Sequence, residues 1–385
     1  GYDQWNMSAL LKLREGVDLS RLEEAWQDVR DRHSALRTSF LATESGWSRG
    51  APAAPEPLTI ERIHLPGTPA DLGETAVRDC LAALQASLDI QAGRLFRLAA
   101  LHLDREDWLV VIVHHLAMDG VSWSILLDEV DDAYSNPQSA PEPAAACLEF
   151  STWAGLLSDA TEAGYFDAES DYWTGPRWDA AAQQTGAPEP HRNLEAATGQ
   201  VTEAVTPELT DRLLVRAGER SDLSMEVLLL TAAVRAVSRW LGLDTVLVGM
   251  ESHGRHDFGD GMDVSSVIGW FTAAYPLLTA LDSQGDLATD LKNIKNARQS
   301  VPNDGVGFGA LKTLHPDDAV RARMATVAEP HFGFNYFGKL DPGAESPIFS
   351  GFEAPLPFGR SPQTRRPNAL ELNVLHRGPG LSFRW

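Results

Sequence analysis

Apolar residues recur along the chain in two alternating patterns: short runs rich in β-branched residues, and longer stretches with helical spacing. Residues 107–113 are the clearest strand, because they carry no charge after Asp107. Residues 121–134 instead have the spacing of a helix with one buried stripe, formed by Val121, Ile125, Leu126 and Val130. A short loop at residues 114–120 separates the predicted strand from the predicted helix.

The same alternation continues on both sides of this loop. Ser20-Arg21-Leu22-Glu23 has the pattern of a capping box and predicts the first helix. Further strands are predicted at 35–41, 94–104, 199–205 and 245–250, and further helices at 74–88, 207–217, 225–241 and 287–300. Alternating strands and helices in two comparable halves predict an α/β protein with two sandwich lobes rather than one barrel.

The chain length and one change in composition place the boundary between these lobes. A chain of 385 residues exceeds what one hydrophobic core usually organises. Between Trp173 and Asn193 the sequence becomes rich in Gly, Pro, Ala and Gln and loses its periodicity. We therefore predict an N-terminal lobe at residues 1–175 and a C-terminal lobe at residues 176–385.

Composition excludes several classes of function. The formal net charge of -22 argues against binding to nucleic acid, and no run approaches the roughly 20 apolar residues of a membrane helix. Cys80 and Cys147 are the two cysteines, so we expect no disulfide framework and a cytoplasmic location. The N-terminus does not resemble a signal peptide and looks like a cut inside a larger protein. No P-loop, dinucleotide fingerprint or spaced Cys/His metal cluster occurs, so cofactor-free chemistry is expected.

Two adjacent histidines, His114 and His115, occupy the loop after the predicted strand 107–113. An imidazole held at the end of a rigid strand can accept or donate a proton near neutral pH. In the same loop, Asp119 can cap the next helix or pair with an arginine, and Gly120 allows a positive φ or a close backbone approach. The alternative is that both histidines are core residues with satisfied hydrogen bonds.

A second cluster of ionisable groups, Glu251-Ser252-His253-Gly254-Arg255, follows the predicted strand 245–250. A carboxylate at the end of an apolar strand would have its pKa raised by desolvation, which makes it a better base near neutral pH. The alternative is a solvated or capping carboxylate. Gly305, Gly307 and Gly309 lack the flanks and the lysine of a phosphate-binding loop, so turns explain them better.

Taken in order, five segments closely resemble the epimerization domains of nonribosomal peptide synthetases, members of the condensation-domain superfamily. The family signature HHxxxDG followed by VSW matches residues 114–123, and EGHGRE appears as ESHGRH at 251–256. The patterns VGWFTxxxP, PxxGxGYG and FNYLGQFD appear as IGWFTAAYP, PNDGVGFG and FNYFGKLD. The departures from the family pattern are Ser124, Ser252, His256 and Phe308.

This resemblance implies both a fold and a reaction. The fold would be two chloramphenicol-acetyltransferase-like lobes that form a V with a central tunnel. The reaction would invert the α-carbon, from L to D, of an aminoacyl or peptidyl thioester on the phosphopantetheine arm of a carrier protein, with no cofactor of the domain's own. The partners would be a peptidyl carrier protein and the neighbouring adenylation and condensation domains. A condensation domain that forms a peptide bond, or a silent domain that docks carriers, are the alternatives.

The resemblance also assigns roles to residues. His115 and Glu251 would act on opposite faces of the α-carbon, although the order in which they act stays open. His114 would be structural, Asp119 would pair with an arginine such as Arg255, and Gly120 and Ser122 would support the loop. Asn335 and Tyr336 would hold the thioester or stabilise its enolate. Two basic groups could dock the carrier, unless they are simply solvated: Lys292, Lys295 and Arg298 on a helix, and Arg360, Arg365 and Arg366 in a loop.

Overall fold

The computed structural model describes every residue except 1–3, 45, 55, 67–74, 138–148, 179–192, 220–222, 259–260, 283–284, 340–345, 354–358 and 378–379. Cys147 and the end of the FNYFGKLD segment lie outside the described residues. The strands are β1 (Trp5–Leu13), β2 (Thr38–Thr43), β3 (Gly46–Pro52), β4 (Glu61–His64), β5 (Phe96–His102), β6 (Asp107–His114), β7 (Thr202–Ala204), β8 (Thr245–Ser252), β9 (Ala273–Ala280), β10 (Phe332–Lys339), β11 (Phe349–Glu353), β12 (Gly359–Arg360), β13 (Leu370–Arg377) and β14 (Gly380–Arg384).

Helices alternate with these strands, as the apolar spacing predicts. They are α1 (Leu19–Arg32), α2 (Thr75–Ala86), α3 (Ser122–Ser135), α4 (Phe150–Glu162), α5 (Ser170–Thr174), α6 (Pro207–Glu219), α7 (Met225–Leu241), α8 (Leu287–Gln299), α9 (Val306–Thr313) and α10 (Asp318–Met324). Within the described ranges, no helix combines the length and the apolar character needed to cross a bilayer.

The chain divides into two compact units, and neither is continuous in sequence. The first consists of Gly1–Trp153, Asp263–Phe271 and Leu340–Thr364, and the second of Ala154–Met262, Thr272–Lys339 and Arg365–Trp385. The sequence-based division after residue 175 treats the lobes as continuous halves and stays a prediction. It differs from the compact units most clearly at residues 263–271, which belong to the first unit together with the His114–His115 loop.

The first unit is built on a sheet with the strand order β11-β1-β6-β5-β4, in which β12 also pairs with β1. Strand β6 is buried at every residue after Asp107 because both faces of the sheet are covered. Its residues Leu109, Val111 and Val113 join the core that contains Trp26 of α1 and Leu126 of α3. The alternate residues Trp108, Val110 and Ile112 pack in the core that contains Leu81 and Leu84 of α2. This two-sided burial explains the uninterrupted apolar run of β6.

Three predicted features of the first unit are wrong in detail. Helix α1 is capped by Asp18, whose Oδ1 accepts the Ser20 N–H at 2.9 Å, so the capping box at Ser20 does not form. Val121 precedes α3 and is 41% exposed, so it does not belong to the buried stripe. Residues 34–37 form a 3₁₀ turn, and the predicted strand 35–41 begins only at Thr38.

The second unit contains a sheet with the strand order β7-β14-β13-β10-β8-β9. Strand β8 is parallel to β10 and antiparallel to β9, with Glu251 opposite Ala274. Helix α7 packs Leu230 and Val234 in the same core as Val248 of β8. The predicted bounds of α7 are confirmed, because the Ser224 hydroxyl caps its first turn and Gly242 ends it with a φ of 69°.

Candidate active site

The histidine loop starts where β6 ends, and His114 is fully buried there. The His114 N–H donates to the Leu95 carbonyl at 2.7 Å. The His114 Nδ1 accepts the Leu116 N–H at 3.2 Å, which bends the backbone into the loop. These bonds support the structural role that the sequence assigns to His114.

His115 is half-buried, and its backbone N–H donates to the Trp5 carbonyl at 2.8 Å. Its Nδ1 lies 3.1 Å from the Met118 carbonyl, which can only accept a hydrogen bond. The Nδ1 therefore carries the proton of the neutral ring, and the Nε2 keeps its lone pair. In this tautomer, Nε2 is the atom that can remove a proton from a substrate.

Two tryptophans flank the His115 ring. The ring centroid of His115 lies 4.9 Å from that of Trp5 and 5.1 Å from that of Trp270, and the two indoles meet edge to face at 4.8 Å. Burial lowers the pKa of His115 below its usual value, and the nearby positive charge of Arg360 lowers it further, while hydrogen bonding to the backbone opposes the shift. The imidazole is therefore neutral at physiological pH and available as a base.

Asp119 and Ser122 join the histidine loop to the Gly269-Trp270-Phe271 segment within the first unit. The Asp119 carboxylate accepts the backbone N–H of Ser122 at 2.9 Å, the Ser122 hydroxyl at 2.8 Å and the Phe271 N–H at 3.1 Å. The Asp119 N–H donates to the Gly269 carbonyl at 3.1 Å. Asp119 thus acts as a helix cap, one of its two expected roles, and its pairing with Arg255 stays a prediction. Gly120 does not have a positive φ, so conformational freedom does not explain this glycine.

These contacts identify residues that sequence reasoning misses. Large aromatic side chains mainly supply buried area, so the sequence alone favours core positions for Trp123 and Trp270. Trp123 is 8% exposed and joins the first core, whereas Trp270 is half-buried against His115. Trp5 is not among the predicted site residues. The apolar pattern of β6 indicates that a paired strand lies beside the histidines, but it does not indicate which strand, so it does not identify Trp5.

Glu251 lies near the end of β8 in the second unit, and its side chain is exposed. The strand therefore does not supply the desolvation expected from its apolar sequence. Gly254, with a φ of 64°, turns the chain soon after the strand, and Arg255 is half-buried. The compact units place Glu251 in the second unit and His115 in the first.

Asn335 and Tyr336 lie on β10 of the second unit, opposite Asn373 and Val374 of β13. Both side chains are half-buried. Burial raises the pKa of Tyr336, so its phenol stays protonated and can donate a hydrogen bond. An amide and a phenol on consecutive residues of a strand point to opposite faces of the sheet, so they would serve different partners.

The two basic groups are less uniform than the sequence suggests. Arg298 is not a freely solvated cation, because it forms ion pairs with Asp304 at 3.1 Å and Glu226 at 3.5 Å. Arg360 lies in β12 of the first unit, beside Trp5, whereas Arg365 and Arg366 belong to the second unit. Lys292 and Arg365 are exposed and retain the character expected of a docking surface.

Comparison with known proteins gives a match over nearly the whole chain. The family model described as the condensation domain matches residues 2–385. The chain is 32% identical over 378 residues to surfactin synthase subunit 1 of Bacillus subtilis (strain 168), and 28% identical over 385 residues to tyrocidine synthase 2 of Brevibacillus parabrevis. Each alignment covers 96% of the chain but only 10% of the relative. The chain thus spans a small part of the curated relatives it matches.

Solved structures show the same fold. The epimerization domain from the third module of tyrocidine synthetase B matches with a TM-score of 0.84 and 26% identity, covering 100% of this chain and 86% of that chain. The first condensation domain of the calcium-dependent antibiotic synthetase matches with a TM-score of 0.73 and 18% identity, covering 99% and 85%. The expected chloramphenicol-acetyltransferase-like fold of two α/β lobes is confirmed.

Proposed function

The chain belongs to the condensation-domain family, and on that premise we propose that it inverts the α-carbon of an aminoacyl or peptidyl thioester from L to D. Domains of this family act on substrates tethered to the phosphopantetheine of carrier proteins and need no cofactor of their own. One observation carries the choice of epimerization: the likeness to an epimerization domain has both a higher TM-score and a higher identity than the likeness to a condensation domain.

The chemistry needs two proton-transfer groups and a stabilised enolate. A base removes the α-hydrogen as a proton, and the electron pair of the C–H bond moves toward the carbonyl to form an enolate. An acid on the opposite face then returns a proton to the carbon, so the product differs from the substrate only in configuration. A thioester helps because its carbonyl accepts this charge more readily than that of an ester or amide.

The contacts of His115 support its role as one of these two groups. Its Nδ1–H is occupied by the Met118 carbonyl, so Nε2 can accept the α-proton. The tryptophans on either side limit the motion of the ring and its hydration. A positioned base of this kind contributes about 10²- to 10⁴-fold in rate.

We assign the opposite face of the α-carbon to Glu251, which the ESHGRH motif places at the end of β8. To return a proton to the α-carbon, its carboxylate must first take up a proton from solvent, which its exposure allows. The proton that His115 has accepted must then leave to solvent before the next turnover. Tyr336 is a candidate donor to the enolate oxygen, because its protonated phenol can stabilise a developing negative charge. Asn335 would hold another part of the thioester or its arm.

Peptide-bond formation is the second candidate. The HHxxxDG loop is common to condensation and epimerization domains, and the family model carries the name of the condensation domain. The relatives are multidomain synthetases, so the partners we propose are a peptidyl carrier protein and adjacent adenylation and condensation domains. The cytoplasm is the compartment we propose for such an assembly.

One experiment separates the candidates. The chain is incubated in deuterated water with a carrier protein loaded with an L-aminoacyl group. An epimerase introduces deuterium at the α-carbon and yields the D-aminoacyl product. A condensation domain forms an amide only when a second, acceptor-loaded carrier is added. Binding of the carrier with neither product would leave a docking domain and refute both enzymatic proposals.

A further inference from the structure

The turn at residues 303–305 has a strained backbone. Asn303 and Asp304 have φ values of 43° and 49°, and among the described residues they are the non-glycine residues with positive φ. Gly305 follows with a φ of 86°. The left-handed conformation is unfavourable for side chains other than glycine, and two such residues in succession persist only when their surroundings hold them. The sequence pattern predicts turns at Gly305, Gly307 and Gly309. This prediction is right for Gly305 only, since Gly307 and Gly309 lie inside α9.

A buried carboxylate holds the first residue of this turn. Glu169 is 6% exposed, and its Oε1 accepts a hydrogen bond from the Asn303 amide at 2.6 Å. Its Oε2 accepts the Trp173 indole N–H at 3.0 Å. A β-carbon on Gly307 would lie 2.2 Å from this carboxylate, so the glycine is required for the close approach. Glu169 therefore holds Asn303 by a hydrogen bond and packs closely against the start of α9.

Two further contacts hold the rest of the turn. The Arg298 guanidinium donates to the Asp304 carboxylate at 3.1 Å and lies 5.9 Å from the centre of the Tyr275 ring. Gly305 packs directly against that ring, where a β-carbon would lie 2.0 Å from a ring atom. Hydrogen bonds of the Asn303 and Asp304 side chains thus hold the first two residues of the turn, and packing against Tyr275 holds Gly305.

The 303–305 turn contacts β8, the strand that carries Glu251. The Ser252 hydroxyl donates to the Asp304 carbonyl at 2.7 Å, and Ser252 is the last residue of β8. Successive side chains of a strand point to opposite faces, so the hydroxyl is anchored on one face while the Glu251 carboxylate lies on the other. We infer that Ser252 and the 303–305 turn are positioning elements for Glu251, and this inference rests on the proposed function.

The inference concerns a feature of this particular chain. The motif that ESHGRH resembles has a glycine at the position of Ser252, and a glycine has no side chain to make this bond. In this chain, the hydroxyl can therefore limit the freedom that a glycine would give to the strand end next to Glu251. Misplacement of a catalytic group by about 1 Å can cost up to about 10²-fold in rate. A positioning bond should consequently affect turnover more than substrate binding.

The test measures α-hydrogen exchange in deuterated water for the whole chain with a loaded carrier protein. Ser252→Ala removes the hydroxyl, Ser252→Thr retains one, and Asn303→Ala removes the bond to Glu169. The matched control is Ser39→Ala, because Ser39 is also a strand serine whose hydroxyl donates to a backbone carbonyl, that of Ala51 at 3.0 Å. We expect kcat to fall about tenfold in both alanine variants at positions 252 and 303, with KM changed less than about twofold. Ser252→Thr should restore kcat, and Ser39→Ala should match the wild type.

The outcomes separate this inference from the proposal on which it rests. If the wild type exchanges its substrate hydrogen and Ser252→Ala and Asn303→Ala do so at the same kcat, the positioning role is wrong and the proposed epimerization stands. If KM rises in these variants while kcat is unchanged, Ser252 and the 303–305 turn serve substrate binding, and the positioning role is again wrong. If the wild type shows no exchange, the proposed function fails and the inference fails with it.

Discussion

At the scale of single residues, the proposed epimerization would depend on how two side chains are presented to the substrate. His115 has its Nδ1–H engaged by a carbonyl and its ring between two indoles, whereas Glu251 is exposed at the end of a strand. The two side chains therefore differ in their exposure to solvent. The histidine is kept neutral by its surroundings, and the carboxylate can equilibrate with solvent. A two-base inversion can use this difference, because each group must end a turnover in the protonation state from which it began.

The first prediction concerns these two side chains. His115→Ala and Glu251→Gln should each lower the rate of α-hydrogen exchange by about 10²- to 10⁴-fold, because each removes one of the two proposed proton-transfer groups. The rate is measured by mass spectrometry of the aminoacyl carrier, and circular dichroism checks that the fold is retained. Glu203→Gln is the matched control, since Glu203 is an exposed carboxylate on strand β7 of the second unit. If both the His115 and the Glu251 variant exchanged the α-hydrogen at the wild-type rate, the assignment of these two residues would be refuted.

The second prediction concerns the indole that packs on His115. Burial lowers the pKa of His115, so Trp270→Leu should hydrate the ring and raise this pKa toward its usual value. In the direction of reaction for which His115 is the base, activity is lost as the pH falls through this pKa. The acidic limb of the kcat/KM profile should therefore move to higher pH in the variant. Trp240→Ala is the control, because that indole is 71% exposed. An unmoved acidic limb would show that Trp270 does not set the protonation of His115.

At the scale of elements, local signals account for some boundaries and long-range pairing for others. Helix α7 has the predicted bounds because Ser224 and Gly242 encode its ends locally. The predicted start of α1 is wrong because Asp18 accepts the N–H groups of Ser20 and Arg21, so the helix begins at Leu19 and Ser20 lies inside its first turn.

Some features of the candidate site are likewise encoded locally in the sequence, whereas others depend on tertiary structure. The histidine loop and the end of β8 could be predicted, because each is a local sequence of strand followed by ionisable groups. The contact between Trp5 and His115 could not, because it depends on the pairing of β1 with β6, which places Asn6 opposite His114 although the two are far apart in the sequence. The exposure of Glu251 also depends on tertiary structure. An apolar strand sequence describes the strand and not the space around its last side chains.

The third prediction concerns the contact between α3 and the segment that enters β11. Asp131 of α3 accepts the Ser346 hydroxyl at 2.9 Å, yet burial raises its pKa to about 6. Between about pH 4 and pH 6 the folded protein holds a proton that the unfolded chain has lost, so the free energy of unfolding falls as the pH rises through this window. Asp131→Asn removes this titration and can still accept the Ser346 hydroxyl.

We therefore expect Asp131→Asn to stabilise the protein at about pH 8 by about 1 kcal/mol, less than the full shift in pKa would give because the carboxylate is only half-buried. At about pH 5 the gain should be smaller, since Asp131 is then mostly protonated in the folded state. Thermal unfolding at both pH values measures the difference. The control is Asp159→Asn, an exposed position on α4. An equal gain at both pH values would mean that the carboxylate does not titrate in this window.

At the scale of the whole molecule, the two compact units are built from interleaved segments of chain. The first unit takes Asp263–Phe271 and Leu340–Thr364 from beyond residue 175. These segments supply Ile268, Ile348 and Phe349 to the core that contains the histidine strand, and all three side chains are almost fully buried. Strand β1, in turn, pairs with β11 and β12 from the C-terminal part of the chain. A division at residue 175 would thus separate a core from three of its apolar side chains.

This arrangement gives the last prediction. A fragment of residues 1–175 would lack the partners of one edge of β1 and would expose apolar surface that Ile268, Ile348 and Phe349 cover in the intact chain. Loss of a large buried apolar side chain typically costs about 2–5 kcal/mol, so the absence of three removes most or all of the usual stability of a domain, about 5–15 kcal/mol. We expect this fragment to show no cooperative thermal unfolding alone and to regain it when coexpressed with residues 176–385. The intact chain is the positive control. A fragment that unfolds cooperatively by itself would mean that the N-terminal lobe is an autonomous folding unit. The segments Asp263–Phe271 and Leu340–Thr364 would then contribute to the candidate site without being needed for the fold.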